Sequence, residues 1–134
     1  MKYDTRMARI LLVDDDEPFV DVLGDFLSGR GHEVSRCCDP LGATALAEEA
    51  APELAILDFD MPKLNGQELL LRLRDHDEFV EMPVVFLSGL ETLRYAVDVP
   101  PDPKVRFLRK PVDLGELEGA IRDLLDPEGW AKNA

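Results

Sequence analysis

Long apolar runs, cysteine and positive charge are all scarce in this sequence of 134 residues. No stretch approaches the ~20 apolar residues of a membrane-spanning helix, and the opening Met1–Arg6 lacks the apolar core of a signal peptide. A membrane location and a secretory route are therefore not expected, and a cytoplasmic one is. The two cysteines, Cys37 and Cys38, are adjacent. Neighbours on a strand point to opposite faces, so a structural disulfide between them is not expected. Without zinc-ligand spacing elsewhere they read as free thiols in a reducing compartment. Lysine and arginine number 15 against 28 acidic residues, giving a net charge of −13. Such a surface repels phosphate backbones and anionic lipids, so direct nucleic-acid or membrane partners are not expected. The two histidines, His32 and His76, lie in polar surroundings and read as surface residues.

What is present fits one soluble globular domain with a single sizeable core. Arg9–Val13 is a short apolar run ending in Asp14, Asp15, Asp16 and Glu17. Pro18 suits the first turn of a helix, with the acids at its positive end. Phe19, Val22, Leu23, Phe26 and Leu27 then form a helical stripe, which Gly29 and Gly31 stop. A weakly patterned strand over Glu33–Cys37 precedes an Ala-rich helix over Leu41–Ala50. Leu54–Leu57 is a continuous apolar run leading straight into Asp58, the pattern of a strand buried on both faces. Leu69, Leu70 and Leu73 mark a helix after Gly66, with Asp75–Glu78 as a polar connection. Pro83–Leu87 and Val105–Leu108 read as two further strands. Between them a short helix over Leu90–Val97 is expected, stopped by Pro100, Pro101 and Pro103. Asp113 and Glu116 predict a capping box for a last helix carrying Leu114, Leu117, Ile121, Leu124 and Leu125. Trp130–Ala134 reads as a tail.

Strands alternating with helices predict an α/β fold, a doubly wound parallel sheet flanked by helices. Right-handed crossovers then bring every strand's carboxyl end to one edge. That edge would collect Asp14, Asp15, Asp58, Ser88 and Lys110. Carboxylates crowded together repel one another unless a cation joins them, and hard oxygen ligands suit Mg2+, which readily takes phosphate oxygens. A lysine supplies a point charge for a phosphoryl oxygen, and a serine hydroxyl can donate to another. The set fits phosphoryl transfer with Asp58 as nucleophile.

Four motifs in order carry a resemblance to a known family: Ile10–Asp15, Leu57–Pro62 with Gly66, Val84–Gly89 and Phe107–Pro111. The sequence resembles the receiver domain of two-component response regulators, of the CheY-like superfamily, over residues 8–126, leaving 1–7 and 127–134 as terminal extensions. The resemblance implies a five-stranded sheet in the order 2-1-3-4-5. It implies that Asp58 is the phosphoacceptor for a sensor histidine kinase or a histidine phosphotransfer protein. Asp15 would ligate Mg2+ directly and Asp14 through water, with the backbone carbonyl of Asp60 completing the shell. Ser88 would bond the phosphoryl group, Lys110 would pair with it, and Phe107 would be the aromatic switch residue. The peptide before Pro111 would be cis. The implied role is a signalling switch, not an enzyme beyond self-catalysed phosphotransfer and autodephosphorylation.

Two features depart from the common pattern of that family. Asp60 places a carboxylate where side chains influence dephosphorylation, and is expected to affect how water reaches the acyl phosphate. Val97–Pro103 is rich in proline where a fourth helix usually continues, so an altered output face is expected, without the common mode of dimerisation. Asp58-Phe59-Asp60 also resembles the Asp-x-Asp signature of haloacid-dehalogenase-type phosphatases. There, however, the metal-binding acidic pair comes late in the chain, and here Asp14 and Asp15 come first. An interaction domain indifferent to phosphate is disfavoured because the whole residue set is present. No output domain is read after the last helix, so the protein is a stand-alone receiver or part of a longer chain.

Overall fold

The computed structural model describes residues 7–89 and 102–126. Its strands are β1 (Arg9–Val13), β2 (Glu33–Cys37), β3 (Leu54–Asp58), β4 (Val84–Ser88) and β5 (Val105–Arg109). The helices among the described residues are α1 (Glu17–Gly29), α2 (Ala43–Ala50), α3 (Gly66–Arg74) and α4 (Leu114–Leu125). The strands form one parallel sheet in the order β2-β1-β3-β4-β5, as expected.

Period two along the strands divides the core into two halves. Ile10, Leu12, Leu54, Ile56, Val85 and Leu87 pack with Val20, Leu23 and Leu27 of α1 and Leu117, Ile121 and Leu124 of α4. Leu11, Val13, Ala55, Leu57, Val84 and Phe86 face the other way, onto Ala43 and Ala47 of α2 and Leu69 and Leu73 of α3. A strand buried on both faces cannot alternate, which is why β3 and β4 read as unbroken apolar runs. The edge strand β2 has no fully buried residue, which accounts for its weak pattern. Cys37 and Cys38 are free thiols packed against opposite halves of the core.

Several local expectations are corrected. The second helix starts at Ala43, because Asp39 accepts the N–H of Leu41 and holds Pro40–Gly42 as a 3-10 turn. The polar connection after α3 contains a second such turn, Asp77–Phe79, with Phe79 buried. Strands β4 and β5 each run one residue further, to Ser88 and Arg109. Asp113 does cap α4, accepting the Glu116 N–H at 3.0 Å. The reciprocal capping box forms at α3, where Asn65 and Glu68 exchange bonds at 2.8 and 2.9 Å. His32 is not simply a surface residue: its Nδ1 accepts the Ala8 N–H at 3.2 Å and holds the chain entering β1. His76 Nδ1 lies 3.5 Å from a Glu48 carboxylate oxygen. The expected helix over Leu90–Val97, Pro100, Pro101 and Trp130 lie outside the described residues. Among the described residues, no helix is long and apolar enough to cross a membrane.

Candidate phosphoryl-transfer site

The carboxyl ends of β1, β3 and β4 carry Asp14, Asp58 and Ser88, and the sheet ladder continues just past them. Asp14 N–H donates to the Cys37 carbonyl at 3.1 Å, and Lys110 N–H donates to the Ser88 carbonyl at 2.8 Å. The backbones of the site residues are thus fixed by the sheet rather than by free loops. Asp14 and Asp58 continue the series Ile10–Leu12 and Leu54–Ile56, so both carboxylates turn toward the side that carries α1.

The three acids expected to meet do so. One carboxylate oxygen from each of Asp14, Asp15 and Asp58 lies within 4.8 Å of the others. Asp14 and Asp58 are buried, whereas Asp15 is exposed. Lys110 closes the cluster from the far end of the chain. Its Nζ donates to Asp14 Oδ2 at 2.9 Å and lies 3.6 Å from Asp58 Oδ1. The other oxygen of Asp14 accepts the Asp16 N–H at 3.0 Å, while Asp58 Oδ1 also accepts the Asp60 N–H at 3.2 Å. Burial, and after it the charge of Asp14, pushes the Asp58 carboxyl up to about 7, with Lys110 acting in the opposite direction. Burial pulls Lys110 down, but Asp14 and Asp58 outweigh it, and its ammonium ends above the ordinary lysine value.

Ser88 is 1% exposed, and its hydroxyl has no hydrogen-bond partner among the described residues. A buried hydroxyl without a partner is costly, by roughly 1–3 kcal/mol, and such groups stand out in native folds. An arriving oxyanion would satisfy it. The donor set also suits a hard divalent cation, since it offers only oxygen and two of its carboxylates are buried. Asp60 is exposed at the rim, with its backbone N–H turned to Asp58. Phe107 is half-buried and packs against the half of the core that holds Phe59 and Phe86. It stacks on Phe86 at 5.1 Å and meets Phe59 edge-on at 5.7 Å. The Lys110–Pro111 peptide is cis.

One contributor escaped the sequence reading, and a second was named there only as a motif glycine. Phe19, assigned to the apolar stripe of α1, places its ring 4.7 Å from Lys110 Nζ. Its place one turn after the Asp14–Asp16 run was the available signal. Gly66, part of the second family motif, brings the start of α3 against the site strand. A Cβ there would lie 2.6 Å from the Asp58 carbonyl oxygen and 2.9 Å from Phe59 Cα, a contact no pattern of residue types reveals.

A parallel five-stranded sheet with an acidic, lysine-closed carboxyl edge defines a class of phosphoacceptor folds. The family model described as the response regulator receiver domain matches residues 10–122, and the chain belongs to that family. Among curated relatives, it is 31% identical over 119 residues to the "DNA-binding dual master transcriptional regulator RpaA" of Synechocystis sp., covering 89% of this chain and 49% of that one. It is 32% identical over 117 residues to "Response regulator PleD" of Caulobacter vibrioides, covering 87% of this chain and 26% of that one. The chain thus spans half or less of the length of these relatives. A receiver domain crystal structure from Clostridium thermocellum superposes with a TM-score of 0.81 at 26% identity, over 90% of this chain and 96% of that one.

Proposed function

We propose that residues 8–126 act as a phosphorylation-dependent switch of a two-component system, with Asp58 as the phosphoacceptor. The observation that carries this reading is the meeting of three carboxylates within 4.8 Å, with Lys110 Nζ between two of them at 2.9 and 3.6 Å. An oxygen of Asp58 attacks the phosphorus of a phosphohistidine on a sensor histidine kinase or a histidine phosphotransfer protein. As the new O–P bond forms, the N–P bond breaks, and its electron pair leaves with the imidazole. The product is an acyl phosphate on Asp58.

Lys110 pairs with a phosphoryl oxygen, and the Ser88 hydroxyl donates to another, which gives that buried group its partner. Mg2+ would be held by Asp14, Asp15, Asp58 and the Asp60 backbone carbonyl, and when bound it neutralises charge on the phosphoryl oxygens. Ser88 and Phe107 form the switch. Ser88 moves to bond the phosphoryl group, and Phe107, in the ring cluster next along the sheet, changes packing in response. The Asp60 side chain, at the exposed rim, governs how water reaches the acyl phosphate. The chemistry assigned is transfer to and hydrolysis from Asp58 itself, so the protein does not act as an enzyme on separate substrates. The output is altered binding of a downstream protein in the cytoplasm, and the charge of −13 disfavours direct contact with nucleic acid or membrane.

Incubation with Mg2+ and acetyl phosphate tests this reading by intact mass. The wild type is expected to gain one phosphoryl group and Asp58→Ala none. Labelling that survives in Asp58→Ala would overturn the assignment.

A further inference from the structure

Lys110 has a neighbour that takes none of its hydrogen bonds. Its Nζ lies 4.7 Å from the centroid of the Phe19 ring while it donates to Asp14. The acidic loop itself puts Phe19 there. Asp14 Oδ1 accepts the Asp16 N–H at 3.0 Å, and Asp16 Oδ1 accepts the Phe19 N–H at 3.2 Å as the cap of α1. Asp14 therefore holds Lys110 with one oxygen and, through Asp16, sets the first turn of α1 with the other. The Phe19 ring is half-buried and packs against the half of the core that carries α1 and α4, which limits where it can go.

We propose that Phe19 is a positioning residue for Lys110, on the reading that Asp58 is the phosphoacceptor. The ring face attracts the ammonium and holds it over the acidic edge without engaging any of its three donors. A lysine stem is long and flexible, so an ammonium without this cover would spend more of its time turned to water or bound to Asp14 alone. The ring contact is weakly directional. It persists as Nζ turns from Asp14 at 2.9 Å toward a phosphoryl group on Asp58, whose oxygen already lies 3.6 Å away. Phe19 thus keeps the donors of Lys110 available where negative charge arrives.

A double-mutant cycle tests this. Rates of phosphorylation by acetyl phosphate with Mg2+ are followed by intact mass for the wild type, Phe19→Leu and Phe19→Tyr, each with and without Lys110→Met. Lysine ε-methylene proton shifts are recorded on the same proteins. Phe19→Leu should be about 3- to 10-fold slower, and Phe19→Tyr, which keeps the ring face, within about twofold of wild type. In the Lys110→Met background, Phe19→Leu should have no further effect. The Lys110 ε-methylene protons should be shifted upfield by the ring in wild type and Phe19→Tyr, and lie at ordinary positions in Phe19→Leu. The proposal is overturned if Phe19→Leu matches wild type, if it slows both backgrounds equally as a packing role would, or if the wild type lacks the upfield shift. A wild type that gains no mass refutes the phosphoacceptor reading and this proposal with it; a labelled wild type with uncoupled variants refutes only the role of Phe19.

Discussion

At Asp58, burial and the neighbouring Asp14 act together against ionisation and raise its carboxyl to about 7, from 3.8 when unfolded. The sign of the consequence follows from linkage. A group whose folded pKa is raised contributes stability that is fully present below the unfolded value and is lost as pH rises through the folded one. The metal-free protein should therefore lose stability as pH rises from about 4 to about 7. Asp58→Asn removes the titration while keeping the shape, and should be more stable than wild type at pH 8 by on the order of 1–3 kcal/mol, with the gap narrowing as the pH falls to about 4. Urea midpoints at the two pH values check this, and parallel profiles for the two proteins would contradict it. Mg2+ should close the gap at pH 8, because it binds the folded state of the wild type and not the unfolded chain. The residue types of this site were legible in the sequence. The burial that makes Asp58 reluctant to ionise was not, since a sequence gives no accessible surface.

At the scale of elements, α3 is set by its N-terminus. Asn65 and Glu68 cap it reciprocally, Gly66 N–H donates to the Phe59 carbonyl at 3.0 Å, and the missing side chain of Gly66 lets that turn lie on Asp58 and Phe59. Gly66→Ala places a Cβ against backbone atoms that cannot swing away, so it should destabilise by roughly 1–3 kcal/mol. It should also slow phosphorylation by pushing on the Asp58 backbone. Denaturant midpoints together with the acetyl phosphate assay read both effects, and a stable, fully active variant would disprove the close approach. Periodicity found α1, α3 and α4 because each lays an apolar stripe on the sheet, although Val22 and Leu114, read into the stripes of α1 and α4, are exposed. It misplaced the start of α2, because the Asp39 cap and Pro40 wind a 3-10 turn first, and both helix and turn tolerate the same residues. It put the reciprocal capping box at Asp113 because that pattern is short and the geometry of the entering chain decides whether it closes.

Over the whole molecule, 28 acidic residues face 15 lysines and arginines, and the ion pairs formed by the exposed ones are weak. Self-repulsion at a net charge of −13 should make stability rise with monovalent salt. The urea midpoint should increase between about 10 and 150 mM NaCl, as the screening length shortens from about 30 to about 8 Å; a flat or falling midpoint would show that the charges are already compensated. The sequence by itself determined the architecture. Unbroken apolar runs require strands buried on both faces, amphipathic helices between them supply the cover, and right-handed crossovers then gather the acids, the serine and the lysine at one edge. Tertiary structure alone decided how those residues act on one another. Only the folded sheet sets Lys110 between Asp14 and Asp58, leaves the Ser88 hydroxyl without a partner among the described residues, and brings Phe19 over the lysine. Distances of a few ångströms between residues up to 96 positions apart in the chain follow from packing, which no local pattern encodes.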